Sequence, residues 1–304
     1  MSSERHHTLF EGSAVALVTP FIDDGSFAPE IDERALRDLV EWHITEGTDV
    51  LVPCGTTGES PTLDYEEHDR VIRIVVDQAK KRVPVLAGTG SNSTVEAIAI
   101  TKRAKESGAD GSLQVNPYYN KPTQEGLYRH FKAIANAVDI PIILYNVPGR
   151  TVVNMLPETV ARLSQIKNIV GIKEASGNLE QIKKVIELCG PEFTVLSGED
   201  AQNFDILKLG GRGMISVTAN VVPARLAKMW DAFKDGKKED AEKAHRDLLP
   251  LHDAMFFETN PIPVKTALGW MGKCQNSLRL PLCEMSSDNA KKLKDVLIRQ
   301  TIIP

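Results

Sequence analysis

Eight short apolar runs are spaced along the chain at intervals of roughly thirty residues, and a segment with helical periodicity follows each. They are AVALVT (14–19), DVLVPC (49–54), PVLAGT (84–89), SLQVNP (112–117), PIILYNV (141–147), IVGIKEA (169–175), FTVLSGE (193–199) and MISVTAN (214–220). Most are apolar throughout rather than alternating, which is typical of parallel strands covered on both faces. Eight successive strand–helix units predict an α/β fold, the (β/α)8 or TIM barrel.

The end of the chain departs from this strand–helix alternation. From about residue 223 the pattern is only helical, which is more helix than an eighth barrel unit needs. We therefore predict a barrel over residues 1–230 and a C-terminal helical extension over residues 231–304, packed on the barrel. An open doubly wound sheet is the alternative fold, but no G-x-G-x-x-G follows the first run. Helix starts are marked by Ser93 with Glu96, by Asn178 with Gln181, and by Pro157.

Charge and cysteine content disfavour several classes of partner. The chain has 36 Lys and Arg against 41 Asp and Glu, a net charge of -5, so we expect no nucleic-acid partner. Its four cysteines form no C-x-x-C pair and no zinc spacing, which predicts a reduced, cytoplasmic protein without a metal site. No segment approaches ~18 consecutive apolar residues, and the N-terminus has no apolar targeting segment, so no membrane association is expected.

Lys173 stands at the end of the sixth run, where an ammonium group would be buried at a cost unless it is paired. Residues i and i+2 of a strand share a face, so Lys173 lies above Gly171 while Glu174 points away. We expect this glycine to leave room inside the barrel for the lysine stem. In one interpretation the lysine extends from the strand end into solvent. In the other it is an amine nucleophile that forms a Schiff base with a ketone.

Other strand ends bring hydroxyl groups and an arginine to the same mouth of the barrel. Tyr145 is either a core residue or a proton shuttle beside the amine. Thr56 and Thr57, in CGTTGES, form either a carboxylate-binding loop or an ordinary strand-to-helix turn. Arg150 is either a bidentate carboxylate receptor or part of a surface salt bridge. No acidic pair suits glycoside chemistry, and no Gly-rich anion cradle favours a phosphorylated substrate.

Together these segments resemble the dihydrodipicolinate (4-hydroxy-tetrahydrodipicolinate) synthases, within the N-acetylneuraminate lyase superfamily of pyruvate-dependent class I aldolases. The matching segments are CGTTGES, VLAGTGSN, NPYYNKPTQEGLYRHF, LYNVPGRT, IVGIKEASGN, SGED, ISVTANVVP and NPIPVKTAL. They run in order from residue 54 to residue 268. The resemblance implies a lyase that condenses pyruvate with L-aspartate-4-semialdehyde, on the route to diaminopimelate and lysine.

For pyruvate, the resemblance implies a role for each matched residue. Lys173 would form the imine with pyruvate, so no cofactor is expected beyond this covalent Schiff base. Thr56 and Thr57 would hold the pyruvate carboxylate, and Tyr145 would pass protons to and from the imine. Tyr119 would reach into a neighbouring subunit and complete a relay of hydroxyl groups with Thr57 and Tyr145. Such sharing requires at least a dimer, and members of the family are usually homotetramers.

For the second substrate, the resemblance implies that Arg150 receives the carboxylate of L-aspartate-4-semialdehyde. Gly198 and Ile215 would line the pocket through backbone groups. One departure from the family lies in the same loop, because Val152 stands where many members carry a glycine. We therefore expect no positive φ at this position.

The resemblance further implies a site for feedback inhibition by lysine. Four residues at the matching positions could bind an amino acid: His68, Asn92, Glu96 and Tyr118. Tyr65, however, stands where lysine-sensitive enzymes often carry a histidine, and Pro61 is also unusual among them. We therefore expect lysine inhibition to be weak or absent.

Two alternatives remain open. Another aldolase of the superfamily, acting on N-acetylneuraminate or a 2-keto-3-deoxy sugar acid, would not depend on Arg150. A non-catalytic barrel that binds small carboxylates would form no covalent adduct through Lys173. The presence of the hydroxyl groups beside the lysine favours the enzyme.

Overall fold

The computed structural model describes residues 9–304 and shows eight parallel strands in one sheet. The strands are β1 (Gly12–Ala16), β2 (Val50–Val52), β3 (Leu86–Gly88), β4 (Gly111–Val115), β5 (Ile142–Asn146), β6 (Ile169–Glu174), β7 (Thr194–Ser197) and β8 (Gly213–Ser216). Their order is β2-β1-β8-β7-β6-β5-β4-β3, so β1 lies beside β8. The first eight residues of the predicted barrel domain lie outside the described part of the chain.

The sheet closes between β2 and β3. Leu51 forms a parallel bridge with Val85, and the Leu51 N–H donates to the carbonyl oxygen of Pro84 at 3.1 Å. Above this bridge, a Cβ atom on Gly88 would lie 2.2 Å from the carbonyl oxygen of Cys54, so glycine alone permits this approach. The predicted (β/α)8 barrel is confirmed, and each strand overlaps one of the eight predicted runs.

Helices surround the barrel. They are α1 (Glu33–Thr45), α2 (Tyr65–Ala79), α3 (Thr94–Glu106), α4 (Gln124–Ala137), α5 (Pro148–Thr151), α6 (Pro157–Leu163), α7 (Leu179–Cys189), α8 (Asn203–Leu209), α9 (Pro223–Lys234), α10 (Lys238–Ala254), α11 (Ile262–Trp270) and α12 (Ser287–Arg299). Ser93 and Asn178 accept hydrogen bonds from the backbone N–H groups of Glu96 and Gln181, which confirms two predicted helix starts. Among residues 9–304, no helix has the length and apolarity needed to cross a membrane.

Apolar side chains fill the barrel interior. Each of the eight strands contributes at least one of them: Ala14, Val50, Leu86, Leu113, Ile143, Val170, Leu196 and Ile215. Phe10, just before β1, closes the N-terminal end, where a Cβ atom on Gly111 would lie 2.4 Å from its ring. A substrate cavity must therefore lie at the carboxyl ends of the strands.

The chain after β8 is helical, as predicted, and it packs against the barrel. α9 contacts β1 and α10, and α12 contacts both α10 and α11. Leu251 of α10, Leu268 of α11 and Leu293 of α12 share one apolar cluster with Leu51 of β2. α9 extends across residue 230, and the division of the chain at that residue stays a prediction.

A buried ion pair joins the extension to the loop that follows β2. Nζ of Lys265 lies 2.6 Å from Oε1 of Glu59, and both side chains are 0% exposed. The other carboxylate oxygen of Glu59 accepts a hydrogen bond from the N–H of Arg279 at 3.1 Å, and the ring of Phe21 lies 4.1 Å from Nζ of Lys265. Burial lowers the pKa of Lys265, and the neighbouring Glu59 carboxylate opposes that shift.

Replacement of one partner should therefore destabilise the fold. In Lys265→Met the Glu59 carboxylate stays buried without its cation, so the free energy of unfolding should fall by about 3–5 kcal/mol. Arg129→Met is the control, because Arg129 pairs with Glu125 on the surface, with 78% of the arginine side chain exposed, and should cost less than about 1 kcal/mol. Urea midpoints at equal protein concentration measure both. If both variants lowered the urea midpoint by the same small amount, the expected role of the buried ion pair would be contradicted.

Candidate active site

Lys173 and Tyr145 lie side by side on neighbouring strands. They are paired in the register of β5 and β6, and Nζ of Lys173 lies 4.4 Å from the centroid of the tyrosine ring. Lys173 is 6% exposed and Tyr145 is 7% exposed. Among residues 9–304, no carboxylate lies within 4.0 Å of the lysine amine. The strand end thus presents a buried amine beside a phenol ring.

Room for the lysine comes from a different glycine than expected. A Cβ atom on Gly198, after β7, would lie 2.9 Å from Cε and 3.0 Å from Cγ of Lys173. A Cβ atom on Gly171 would instead meet the carbonyl oxygen of Thr194 at 2.4 Å and Cδ1 of Ile143 at 2.8 Å. The expectation for Gly171 was therefore wrong: it lets β7 and Ile143 approach β6, whereas Gly198 accommodates the lysine stem.

Glu174 points to the outside of the barrel, as the strand alternation predicts. It is 0% exposed, and its carboxylate accepts hydrogen bonds from the side-chain amides of Asn146 and Gln181 and from the N–H of Ser176. Burial raises the pKa of Glu174, and these hydrogen bonds oppose the shift. The two adjacent ionisable residues therefore occupy separate environments on opposite faces of β6.

The amine faces a cavity of about 560 Å³ at the carboxyl ends of the strands. The barrel contributes five of the predicted site residues together with a carboxylate: Thr56, Thr57, Tyr145, Arg150, Gly198 and Glu199. The extension contributes a wall that the sequence reasoning did not assign to the site: Phe256, Glu258, Thr259 and Asn260. In the sequence, Asn260 is the first residue of NPIPVKTAL, one of the segments that match the family, and this match could have identified Asn260 as a site residue.

Asn260 contacts two of the predicted site residues. Its side-chain Nδ2 donates a hydrogen bond to Oγ1 of Thr57 at 3.0 Å. Its backbone carbonyl oxygen accepts one from Nη2 of Arg150 at 3.1 Å. Thr57 is 2% exposed and Asn260 is 4% exposed. The extension thus links the loop after β2 to the loop after β5.

The loop that carries Arg150 contains an unexpected backbone conformation. α5 forms a single turn, and Val152 ends it with φ of 60°, as its N–H donates to the carbonyl oxygen of Pro148. The expectation of no positive φ at Val152 was therefore wrong, because this short helix ends in a left-handed residue whether or not it is glycine. A β-branched residue in this region carries strain of about 1–3 kcal/mol, two positions after Arg150.

Two predicted residues do not line this cavity in the single chain. Tyr119 is 89% exposed, with φ of 73°, so a role for it in the relay requires a second copy of the chain. Ile215 is 1% exposed and packs in the barrel interior with Tyr145, whereas Val217, two residues later, lines the cavity.

A second cavity, of about 530 Å³, adjoins the first near Thr56 and Arg150. It is lined by three of the four residues predicted for a lysine site: His68, Glu96 and Tyr118. Asn92 does not line it, and its side chain donates to the carbonyl oxygen of Tyr118 at 3.2 Å. Within the described residues, no group of three or more His, Cys, Asp or Glu side chains could hold a metal ion.

Comparisons with known proteins agree with this geometry. Residues 9–300 match the model of the dihydrodipicolinate synthetase family. Similar curated proteins are the 4-hydroxy-tetrahydrodipicolinate synthases of Thermodesulfovibrio yellowstonii, 60% identical over 95% of this chain and 98% of that protein, and of Geobacter sulfurreducens, 58% identical over 97% and 100%. The dihydrodipicolinate synthase structure from Aquifex aeolicus matches with a TM-score of 0.93 and 48% identity, over 96% of this chain and 99% of that one. The chain therefore belongs to the dihydrodipicolinate synthetase family.

Proposed function

We propose that this chain is a lyase that condenses pyruvate with L-aspartate-4-semialdehyde to give 4-hydroxy-tetrahydrodipicolinate. The observation that carries the proposal is the buried amine of Lys173, which lies beside Tyr145 in a cavity that also holds Thr57 and Arg150. An amine without a carboxylate partner among the described residues is available to attack a ketone. The high identity to named synthases over nearly the full length of both chains supports the same activity.

The first half of the reaction forms the imine. Nζ of Lys173 attacks C2 of pyruvate to give a carbinolamine, whose hydroxyl leaves as water once it is protonated and the nitrogen has lost a proton. Tyr145, whose ring centroid lies 4.4 Å from Nζ of Lys173, would transfer these protons through its hydroxyl group. Thr56 and Thr57 would hold the pyruvate carboxylate through hydroxyl and backbone N–H groups. The covalent Schiff base supplies the electron sink, and the proposal includes no other cofactor.

The second half joins the two substrates. Loss of a proton from the methyl group gives an enamine, whose carbon attacks the aldehyde, and the aldehyde oxygen takes up a proton to become the hydroxyl group. The amino group of the second substrate then attacks the imine carbon, and the bond to Nζ breaks, which closes the ring and frees Lys173. Arg150, at the mouth of the cavity, would hold the substrate carboxylate.

We also propose the assembly and location of the protein. Tyr119 would complete the relay from a neighbouring subunit, in at least a dimer and, as in the family generally, a homotetramer. Its high exposure in the single chain supports such an intersubunit role. Gly198, which lines the cavity, would contribute backbone groups to the pocket. The four cysteines, none of which is in a disulfide, support a cytoplasmic location.

The direct test measures pyruvate consumption with L-aspartate-4-semialdehyde, with Lys173→Ala as the blank. The same samples, reduced with borohydride, are examined by intact mass for a pyruvate adduct. We expect turnover and an adduct in the wild type and neither in the variant. An adduct without turnover would redirect the search to sugar aldehydes, and the absence of any adduct would refute the proposal.

The Gly198→Ala variant should show how far imine formation depends on the position of the Lys173 side chain. The added methyl group would lie 2.8 Å from Cβ of Ala175 and 2.9 and 3.0 Å from Cε and Cγ of Lys173. It should displace the amine, so the rate of adduct formation should fall about 100-fold or more. Gly149→Ala is the matched control, because a Cβ atom there meets no heavy atom within 4 Å. The borohydride-trapped adduct is followed over time. A normal rate in Gly198→Ala would show that the lysine tolerates displacement.

For the second cavity we propose a lysine site of low affinity. The hydroxyl of Tyr65 hydrogen-bonds to the Glu96 carboxylate, which raises the pKa of Tyr65, and Ser91 donates to the same carboxylate at 2.8 Å. The guanidinium of Arg103 lies 5.2 Å from the centroid of the Tyr65 ring. A ligand ammonium would have to compete with these contacts, which supports weak inhibition.

Inhibition by L-lysine should therefore be weak in the wild type and stronger in Tyr65→His, which removes the phenol hydroxyl that hydrogen-bonds to the Glu96 carboxylate. We expect the half-maximal lysine concentration to fall about tenfold, as for one hydrogen bond to a charged group. The matched control is Tyr128→His, which removes another arginine-stacked tyrosine away from the cavity. Strong inhibition of the wild type, unchanged in Tyr65→His, would contradict this interpretation.

A further inference from the structure

Asn260 is a buried residue of the extension whose position in the site the proposed reaction does not yet explain. It follows α10, lines the cavity, and contacts Thr57 through its side chain and Arg150 through its backbone. Thr57 belongs to the pyruvate side of the site, whereas Arg150 belongs to the side of the second substrate. One residue therefore contacts both subsites through chemically different groups.

The side-chain contact fixes the direction of a hydroxyl group. The Nδ2 atom of Asn260 can only donate a hydrogen bond, so Oγ1 of Thr57 must accept this one. The single proton of the Thr57 hydroxyl then has to be donated to another group. Thr57 and Tyr145 line the same cavity, so in the proposed reaction the acceptor would be the pyruvate carboxylate or the Tyr145 hydroxyl. Without the asparagine, the threonine hydroxyl could rotate and accept instead.

The surrounding structure holds this asparagine firmly. The N–H of Ile262 donates to the carbonyl oxygen of Thr259 at 2.9 Å, which shapes the turn that contains Asn260. Five residues after Asn260, Lys265 pairs with Glu59, which is two residues after Thr57. The turn of the extension and the loop after β2 are therefore tied together at two points. The ion pair thus supports the position of Asn260 beside Thr57.

We propose that Asn260 is a positioning residue for imine formation: it holds the Thr57 hydroxyl as an acceptor, so that this hydroxyl donates its proton into the cavity. The inference rests on the proposed function, because it takes Thr57 as a residue of the pyruvate subsite. It adds a residue of the extension to the machinery of the barrel. Its effect is exerted through Thr57, and Asn260 itself need not touch pyruvate.

The two contacts of Asn260 predict an unequal effect on the two substrates. Arg150 binds the backbone carbonyl oxygen, which a side-chain replacement leaves in place. Removal of the amide should therefore slow imine formation but leave the KM for L-aspartate-4-semialdehyde nearly unchanged. A purely structural role of Asn260 would disturb both loops and impair both substrates.

The experiment is a double-mutant cycle with Asn260→Ala, Thr57→Val and the double variant, read by the rate of borohydride-trapped pyruvate adduct. Asn260→Ala should slow adduct formation about 10- to 100-fold, the effect of losing one hydrogen bond in a site that depends on it. If Asn260 acts through Thr57, the double variant should be no slower than Thr57→Val alone. If the rate losses of the two single variants multiplied in the double variant, the proposal would be overturned. It would also be overturned if the KM for the aldehyde rose in parallel with the loss in rate.

Two further variants complete the test. Asn260→Asp keeps the shape of the side chain but replaces the donor with an acceptor, so its adduct rate should fall as in Asn260→Ala, and a wild-type rate would overturn the proposal. This variant carries the test if Asn260→Ala does not fold, as judged by its thermal midpoint. Asn276→Ala is the control, because Asn276 accepts from Thr266 within the extension and lies outside the cavity. A wild type that forms no adduct would refute the proposed function, whereas a normal rate in the Asn260 variants alone would refute only this inference.

Discussion

Lys265 and Glu59 form a fully buried ion pair between the extension and the loop after β2, two segments that both contribute residues to the cavity wall. Attraction inside the protein must compensate for removing two charges from water, and the additional donor from the Arg279 backbone helps to satisfy the carboxylate. Apolar packing allows helices to shift slightly against each other, whereas an ion pair with one favourable geometry fixes the position of the extension relative to the loop. The extension is thereby held in register with Thr57 two residues away from the pair, and its turn supplies part of the active site.

On the other side of the cavity, the alternation of side chains along β6 likewise positions active-site groups. It places Lys173 inside the barrel and Glu174 among amide groups outside. The outer amides do more than satisfy this carboxylate, because Oδ1 of Asn146 accepts a hydrogen bond from the N–H of Met155, at the end of the loop that carries Arg150. The same two strands therefore present the amine on one face and anchor the carboxylate receptor from the other.

Much of this could be predicted from the sequence, since strand runs, helix starts and strand-end residues are encoded locally. Lys173, Tyr145, Thr57 and Arg150 were identifiable because parallel strands bring their carboxyl ends together. The place of Asn260 was not identifiable from spacing, since Thr57 lies 203 residues away in the chain. The misassigned role of Gly171 has the same origin: strand alternation gives the face of a residue, but only packing shows which neighbour occupies the space above it.

The charges around the cavity explain why it suits two carboxylated substrates. Glu258 lines the cavity, but it accepts hydrogen bonds from Ser286 and Asn289 and so serves the start of α12. Glu199 has no ion-pair partner within 4.0 Å among the described residues; burial and the nearby Asp200 raise the pKa of Glu199, and the charge of Lys173 opposes this shift. Lys173 and Arg150 are thus not neutralised by direct contact with these carboxylates. A low-dielectric cavity that holds the Arg150 guanidinium and the Lys173 amine without a carboxylate in direct contact with either then favours anionic ligands, in keeping with the two carboxylated substrates proposed.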